Sequence, residues 1–284
     1  MIPNTFEYTA PTSLKDALAL IGDGGKPLAG GMSLIPMMKL RLASPEHLID
    51  LGRIAELNYI REVNGELRIG ANATHYDVQS SPLVMGKCPL LSETAAAIGD
   101  IQVRNRGTLG GSVAHADPSA DYPAALQALE AKIVLTCATS TRTVSTSDFF
   151  IDTFTTALEP GELVTEVILP VEAGLTGTSY QKFLQPASGF AIVGVAARIR
   201  REGGGITLAR IGVTGVSGNS YRAVKVEAAL LGKSGTDAEI AAAAALVGDG
   251  VEAAADLHAS AVYRMHLAAN YARRAIRAAL SRSV

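Results

Sequence analysis

Gly22-Asp-Gly-Gly-Lys-Pro-Leu-Ala-Gly-Gly-Met-Ser-Leu-Ile-Pro36 is the stretch on which the reading of this 284-residue chain turns. Glycines crowd Gly22 to Gly31, and an apolar run begins at Leu34. Lys26 to Ala29 is predicted to form a short buried strand, and Ser33 a helix N-cap before Leu34, Pro36 and Met37. The chain then runs strand, Gly-Gly turn, helix N-terminus. Gly30 and Gly31 let a backbone come close to a ligand, and N–H groups at a helix start favour an anion. A second glycine pair, in Thr108-Leu-Gly-Gly-Ser112, reads the same way. Two such loops, each followed by a serine, point to a phosphate-bearing ligand held between them. The bland alternative is a pair of tight turns that bind nothing.

The length suffices for two domains with cores of their own. Hydrophobic residues make up 48% with no tryptophan, so aliphatic and alanine packing must dominate. A formal net charge of −2 gives no reason to expect nucleic acid or an anionic membrane as partner. No apolar run approaches the ~18 residues of a membrane span, and the first residues lack the basic-then-apolar pattern of a secretion signal. Cys88 and Cys137 stand apart with no CxxC pair. They read as small buried hydrophobes in a reducing, cytoplasmic setting, not as ligands of a cluster or zinc.

Working outward, Phe6 to Ala10 reads as a strand, and Thr12/Ser13 cap a helix through Leu14, Ala17, Leu18 and Ile21. A helix from Leu34 to about Leu42 and a strand from His47 to Leu51 complete a small βαβ unit. Glu66 to Ala71 is a strand ending where Thr74 caps a helix, and Leu90 to Ile98 is helical. Gln102 to Gly107 is read as a polar turn, Ala124–Glu130 as a helix with Pro123 in its first turn. A hairpin follows over Ala131–Val144, and a strand over Glu162–Leu169. After about residue 172 the texture changes to three strands (Ser179–Leu184, Ala191–Arg200, Ile206–Val213), then helices Val224–Leu231, Ala238–Leu246 and about Ser260–Ser281. In the last helix Val262, Met265, Ala269, Ala272 and Ile276 form the apolar stripe, with Arg264, Arg273, Arg274 and Arg277 mostly off it. A mixed α/β block followed by strands then helices places a domain boundary within Val171–Thr178.

Common nucleotide signatures are absent. Gly232-Lys-Ser234 ends like a P-loop, but Glu227 stands where its first glycine is required; no GxGxxG lies between a strand and a helix. The five histidines show no metal spacing, and no serine, cysteine or histidine sits in a nucleophile arrangement. Asp117 and Asp121 read equally as N-caps or ligand contacts, and Lys182 as either a solvated strand residue or a placed cation. Chemistry carried by a bound cofactor is what remains.

Ala29-Gly-Gly-Met-Ser-Leu-Ile-Pro36 and Thr108-Leu-Gly-Gly-Ser-Val-Ala-His-Ala-Asp-Pro-Ser-Ala-Asp121 resemble the two FAD-binding signatures of the flavoprotein (medium) subunit of molybdenum hydroxylases. That family includes carbon monoxide dehydrogenase, quinoline oxidoreductase and the central part of xanthine dehydrogenase. Ile101–Gly107, Glu162–Pro170, Tyr180-Gln-Lys-Phe183 and Ala259–Arg264 are similar too, so the resemblance covers essentially the whole chain. It implies an α+β architecture: a two-lobed vanillyl-alcohol-oxidase-type (PCMH) FAD-binding domain over 1–174, with lobes of about 1–55 and 56–174. A C-terminal flavoprotein domain over 175–284 follows, with a three-stranded antiparallel sheet and helices.

Carried over residue by residue, the resemblance gives Ala29, Gly30, Gly31, Met32, Ser33, Leu34, Ile35 and Pro36 to the FAD pyrophosphate. Thr108, Gly110, Gly111 and Ser112 line the other side, Ile98 packs nearby, and Asp121 accepts from a cofactor hydroxyl. Val164 and Lys182 match positions at the flavin end, where a cation favours reduction. The implied partners are a large molybdopterin subunit and a small subunit with two [2Fe–2S] clusters, in an (αβγ)2 assembly. Electrons are expected to pass from the clusters to FAD and on to an external acceptor. Many relatives have Asn where Ser112 stands, and carbon monoxide dehydrogenases carry Asp-Tyr where this chain has Gly189-Phe190. The second departure leans toward N-heterocycles, aldehydes or similar substrates. The rival expectations are a free-standing FAD-dependent reductase of the same superfold and a nucleotide-binding module without a redox role.

Overall fold

Ser13 starts the first helix by accepting the Asp16 N–H at 3.1 Å. That helix, Leu14–Gly22, turns Ala17, Leu18 and Ile21 onto Ile49, Leu51, Ile54 and Leu57. Strands β1 (Glu7–Thr9), β2 (Lys26–Leu28) and β3 (His47–Asp50) form a parallel sheet of order β1-β3-β2. This is the predicted βαβ unit. β2, however, is an edge strand whose Lys26 is exposed and whose Pro27 and Leu28 are half-buried, not the buried strand expected. Pro27 has no N–H to offer a second neighbour, so an edge is where it belongs. The computed structural model describes residues 2–172 and 174–283; Ala173, inside the expected boundary segment, lies outside the described residues.

The second sheet is antiparallel throughout. Its strands are β4 (Ile60–Val63), β5 (Glu66–Gly70), β6 (Lys132–Thr136), β7 (Thr141–Ser145) and, after the small hairpin of β8 (Phe150–Asp152) and β9 (Thr155–Thr156), β10 (Leu163–Pro170). The order is β4-β5-β10-β6-β7, so β10 closes the sheet by entering between β5 and β6. Leu67, Ile69, Ile133, Leu135 and Val167 meet the helices Pro89–Ala96 and Tyr122–Ala128 through Leu90, Leu91, Tyr122 and Leu126. The segment read as a polar turn is a short helix, Ile101–Arg104, capped by Asp100.

The third sheet holds β11 (Thr176–Leu184), β12 (Ala191–Glu202), β13 (Gly205–Thr214) and a two-residue β14 (Tyr221–Arg222), antiparallel and in that order. β14 adds a fourth, edge strand to the three that the sequence predicts. Helices Val224–Leu230, Asp237–Ala244 and Ala261–Arg282 cover this sheet. In the last helix the stripe is offset from the expected one. Val262 is 81% exposed, whereas Arg264 is buried. Arg264 Nη1 donates to the carbonyls of Ile192 (2.7 Å) and Gly215 (2.5 Å), and Nη2 to Asp256 (2.6 Å). Those acceptors make an inward guanidinium tolerable.

The segment from Asp117 to Asp121 is clamped from the third sheet. Thr214 donates its hydroxyl to the carbonyls of Pro118 and Ala120, and the Ala191 N–H reaches Ser119 O at 3.1 Å. The loop that leads into Asp121 is thereby fixed to β12 and β13.

Candidate functional site

The two glycine loops touch. A β-carbon on Gly30 would lie 2.0 Å from the Arg106 carbonyl oxygen and 2.7 Å from Gly107 Cα; one on Gly111 would lie 3.7 Å from Ala29 Cβ. Gly31 has φ +75°, left-handed backbone that suits glycine. Among the described residues, none of the N–H groups of Gly30, Gly31, Met32, Ser33 and Leu34 donates a hydrogen bond within the protein. Five consecutive unpaired N–H groups on a glycine turn form an anion cradle.

Ser33 stands at the N-cap of the helix Leu34–Lys39, yet its hydroxyl makes no capping bond. Its backbone is already helical (φ −104°, ψ −49°), whereas a capping side chain needs extended backbone. The six-residue helix adds little dipole, so the N–H groups carry the electrostatics. Met32 and Pro36 are exposed, Ala29, Leu34 and Ile35 half-buried.

The second loop is built differently from the first. Leu109 N–H donates to Ala73 O (2.9 Å), Gly110 to Ala71 O (2.8 Å), Gly111 to the Thr108 hydroxyl (3.1 Å) and Ser112 to Thr108 O (3.0 Å). These glycines serve close packing, since a β-carbon on Gly110 would meet that of Ala71 at 2.4 Å. The loop leaves only the Thr108 N–H and the Ser112 hydroxyl without protein partners among the described residues. It is a wall rather than a second cradle. His75 props it from beneath: its N–H donates to Gly107 O at 2.9 Å, and its ring lies edge-on to Tyr122 with centroids 5.3 Å apart. Burial, aided by the Arg104 charge, pushes the His75 imidazole down to about 4, so it is neutral at physiological pH.

Asp121 and Lys182 form a buried ion pair. Lys182 Nζ lies 2.8 Å from Asp121 Oδ2 and donates to the Ala97 carbonyl at 2.9 Å; Tyr180 donates its hydroxyl to Asp121 Oδ1 at 2.5 Å. The side chains of Lys182 and Asp121 are only 6% and 4% exposed, which removes the solvated reading of Lys182. Asp121 heads the helix Tyr122–Ala128 but caps nothing, because both oxygens are taken. Burial pushes its carboxyl up to about 6, against the pull of Lys182 and Tyr180. Tyr180 was not among the sequence candidates. The signal for it is strand period: residues two apart on β11 share a face.

Ile98 follows Ala97 directly; it is half-buried, and its carbonyl accepts Arg104 Nη1 at 2.9 Å. Val164 is 2% exposed, with its side chain in the core. It sits at a register slip on β10, where the Thr165 carbonyl holds the Ala71 N–H at 3.0 Å, and Ala71 in turn holds Gly110. Val164 thus supports the second loop through backbone rather than lining it with a side chain. Among the described residues no group of His, Cys, Asp or Glu is placed to hold a metal ion.

Known proteins share this arrangement. Residues 4–172 match the FAD binding domain in molybdopterin dehydrogenase, and 178–279 the CO dehydrogenase flavoprotein C-terminal domain. The chain belongs to the FAD-binding medium subunits of molybdenum hydroxylases, an oxidoreductase component whose cofactor is FAD. It is 43% identical to the carbon monoxide dehydrogenase medium chain of Hydrogenophaga pseudoflava, over 99% of both chains. It is 39% identical to the glyceraldehyde dehydrogenase medium chain of Sulfolobus acidocaldarius, over 93% of this chain and 94% of that one. Among solved structures, the Hydrogenophaga pseudoflava carbon monoxide dehydrogenase superposes with a TM-score of 0.96 at 45% identity, covering 99% of each chain. Quinoline 2-oxidoreductase from Pseudomonas putida 86 gives 0.94 at 33%, again over 99% of each. No helix among the described residues is long and apolar enough to cross a membrane.

Proposed function

We propose that this chain is the electron-transfer flavoprotein of a cytoplasmic (αβγ)2 molybdenum hydroxylase, with a large molybdopterin subunit and a small [2Fe–2S] subunit as partners. Ala29 to Pro36 hold the FAD diphosphate, with the N–H groups of Gly30 to Leu34 neutralising its charge. Thr108, Gly110, Gly111 and Ser112 form the opposing wall, and Ile98, Asp121, Val164 and Lys182 belong to the flavin end. Domains of 1–174 and 175–284 meet at that end, the first contributing Asp121 and the second Lys182.

Held there, FAD would supply the exchange between one-electron iron–sulfur donors and a two-electron acceptor. The protein's part is placement and charge. Its unpaired N–H groups would bind the diphosphate without reorganising, and the buried Lys182 ammonium, with Asp121 as its compensating carboxylate, would serve the flavin end. The observation that carries this reading is the run of five unpaired N–H groups packed against the second loop.

The test is the visible spectrum of the purified chain, before and after reconstitution with FAD. An absorption band near ~450 nm that titrates with FAD supports the reading; a chain that stays colourless defeats it. Purified alone, it oxidises no organic substrate, and activity appears on combination with iron–sulfur and molybdenum chains. Turnover by the lone chain would favour the free-standing reductase instead.

A further inference from the structure

We propose that Tyr180 is a positioning residue of this site, and that it sets the charge balance of the Asp121–Lys182 pair through a hydroxyl for which Gly194 leaves the room. The proposal rests on the assignment of Asp121 and Lys182 to the flavin end. Tyr180 and Lys182 stand two apart on β11, so both project from the same face. Each takes one carboxylate oxygen of Asp121, at 2.5 and 2.8 Å. Across the ladder, Gly194 of β12 pairs with Lys182 and Ala196 with Tyr180. A β-carbon on Gly194 would lie 2.3 Å from the Tyr180 hydroxyl oxygen and 3.0 Å from its Cζ. The phenol therefore lies across the space that any other residue at 194 would fill. Asp121 is its one partner among the described hydrogen bonds.

A hydroxyl donating to a buried carboxylate favours its charged form. The charged and titratable groups that face Asp121 are Tyr180 and Lys182 from β11, Asp117 from its own loop, whose charge opposes ionisation, and Tyr122 from the helix that follows, whose buried phenol stays protonated and makes no hydrogen bond to Asp121 among the described residues. Without the Tyr180 hydroxyl only Lys182 is left to favour the carboxylate. Asp121 then holds its proton to higher pH, and Lys182 is left as an uncompensated cation over a wider pH range. Tyr180 thus governs the pH below which the flavin end gains a positive charge.

The experiment follows the flavin midpoint potential of the FAD-loaded protein from pH 5 to pH 9. Flavin reduction itself takes up protons, so the readout is the difference between the profiles of the unsubstituted protein and Asp121→Asn, and that difference shows an inflection where Asp121 titrates. In Tyr180→Phe that inflection moves up by about one pH unit or more, tenfold in proton affinity. Gly194→Ala, which displaces the hydroxyl without deleting it, moves it the same way. If both variants keep the inflection in place while Asp121→Asn removes it, the role given to Tyr180 is overturned and the site assignment stands. If the profile of Asp121→Asn runs parallel to that of the unsubstituted protein throughout, Asp121 is not at the flavin end, and the site assignment falls together with the proposal.

Discussion

Gly212 of β13 lies against Ala124 so closely that a β-carbon on the glycine would be 1.9 Å from the Ala124 carbonyl oxygen. The helix Tyr122–Ala128, which Asp121 heads, thus rests backbone-to-backbone on the third sheet. β11 of that sheet supplies the two groups that grip Asp121. The seat of the helix therefore fixes where Asp121 meets Tyr180 and Lys182.

Gly212→Ala should consequently lift the helix from the sheet. Overpacking of this kind costs about 1–3 kcal/mol, here at the high end because the obstacle is backbone. Urea unfolding should show a lower midpoint with an unchanged slope. FAD affinity should weaken in parallel, since Asp121 moves with the helix.

Gly30→Ala is the sharper test of the cradle. Its β-carbon would meet the Arg106 carbonyl at 2.0 Å, so the first loop must back away from the second. FAD affinity is expected to fall tenfold or more, about 1.4 kcal/mol at least, and the FAD-free protein should also melt lower, since the obstacle is backbone here too. Gly22→Ala is the control: nothing lies within 4 Å of its β-carbon position, and FAD binding should be untouched.

Much of the local structure was legible because its signals are local. Ser13 and Thr74 cap the helices expected of them, Thr74 with a full capping box to Asp77, and the βαβ unit follows from the spacing of short apolar runs. β4 was not legible: Ile60-Arg-Glu-Val63 alternates neither in sequence nor in burial, and it becomes a strand only by pairing with β5. The place of β10 between β5 and β6 is likewise a long-range choice that no window of sequence holds. At the site, motif similarity pointed to both loops but not to their difference. Gly30 and Gly31 leave N–H groups free, while Gly110 and Gly111 look alike in sequence and spend theirs on Ala71 and Thr108. The Asp121–Lys182 pair joins residues 61 positions apart, and nothing in either segment names its partner.

His75 gives the protein an acid sensitivity with a defined window. Burial holds its pKa down to about 4, below the 6.5 of an exposed imidazole, so the unfolded chain binds a proton that the folded chain refuses. A depressed histidine contributes stability that is present above pH 6.5 and lost as pH falls toward 4. The loss is on the order of 3 kcal/mol. Unfolding free energies measured at steps between pH 7 and pH 4 should fall more steeply for the unsubstituted protein than for His75→Leu. Parallel curves would show that His75 is not held neutral.

Lys182→Met separates the ion pair's part in stability from its part in binding. Removing the cation leaves Asp121 buried with Tyr180 as its one donor, and stranding a buried charge costs about 3–5 kcal/mol. Asp121 escapes part of that cost by taking up a proton, which burial already favours by raising its carboxyl to about 6. A raised carboxyl contributes stability at low pH that is lost as pH rises through the folded value. The Lys182→Met penalty should therefore be small near pH 5 and large near pH 8. Adding Asp121→Asn removes the charge itself, so the double variant should regain most of the lost stability at pH 8, a coupling readable from a double-mutant cycle. It should not regain FAD affinity, because both groups assigned to the flavin end are gone. A double variant as unstable as Lys182→Met alone would show that the lysine stabilises the fold by packing, independently of Asp121.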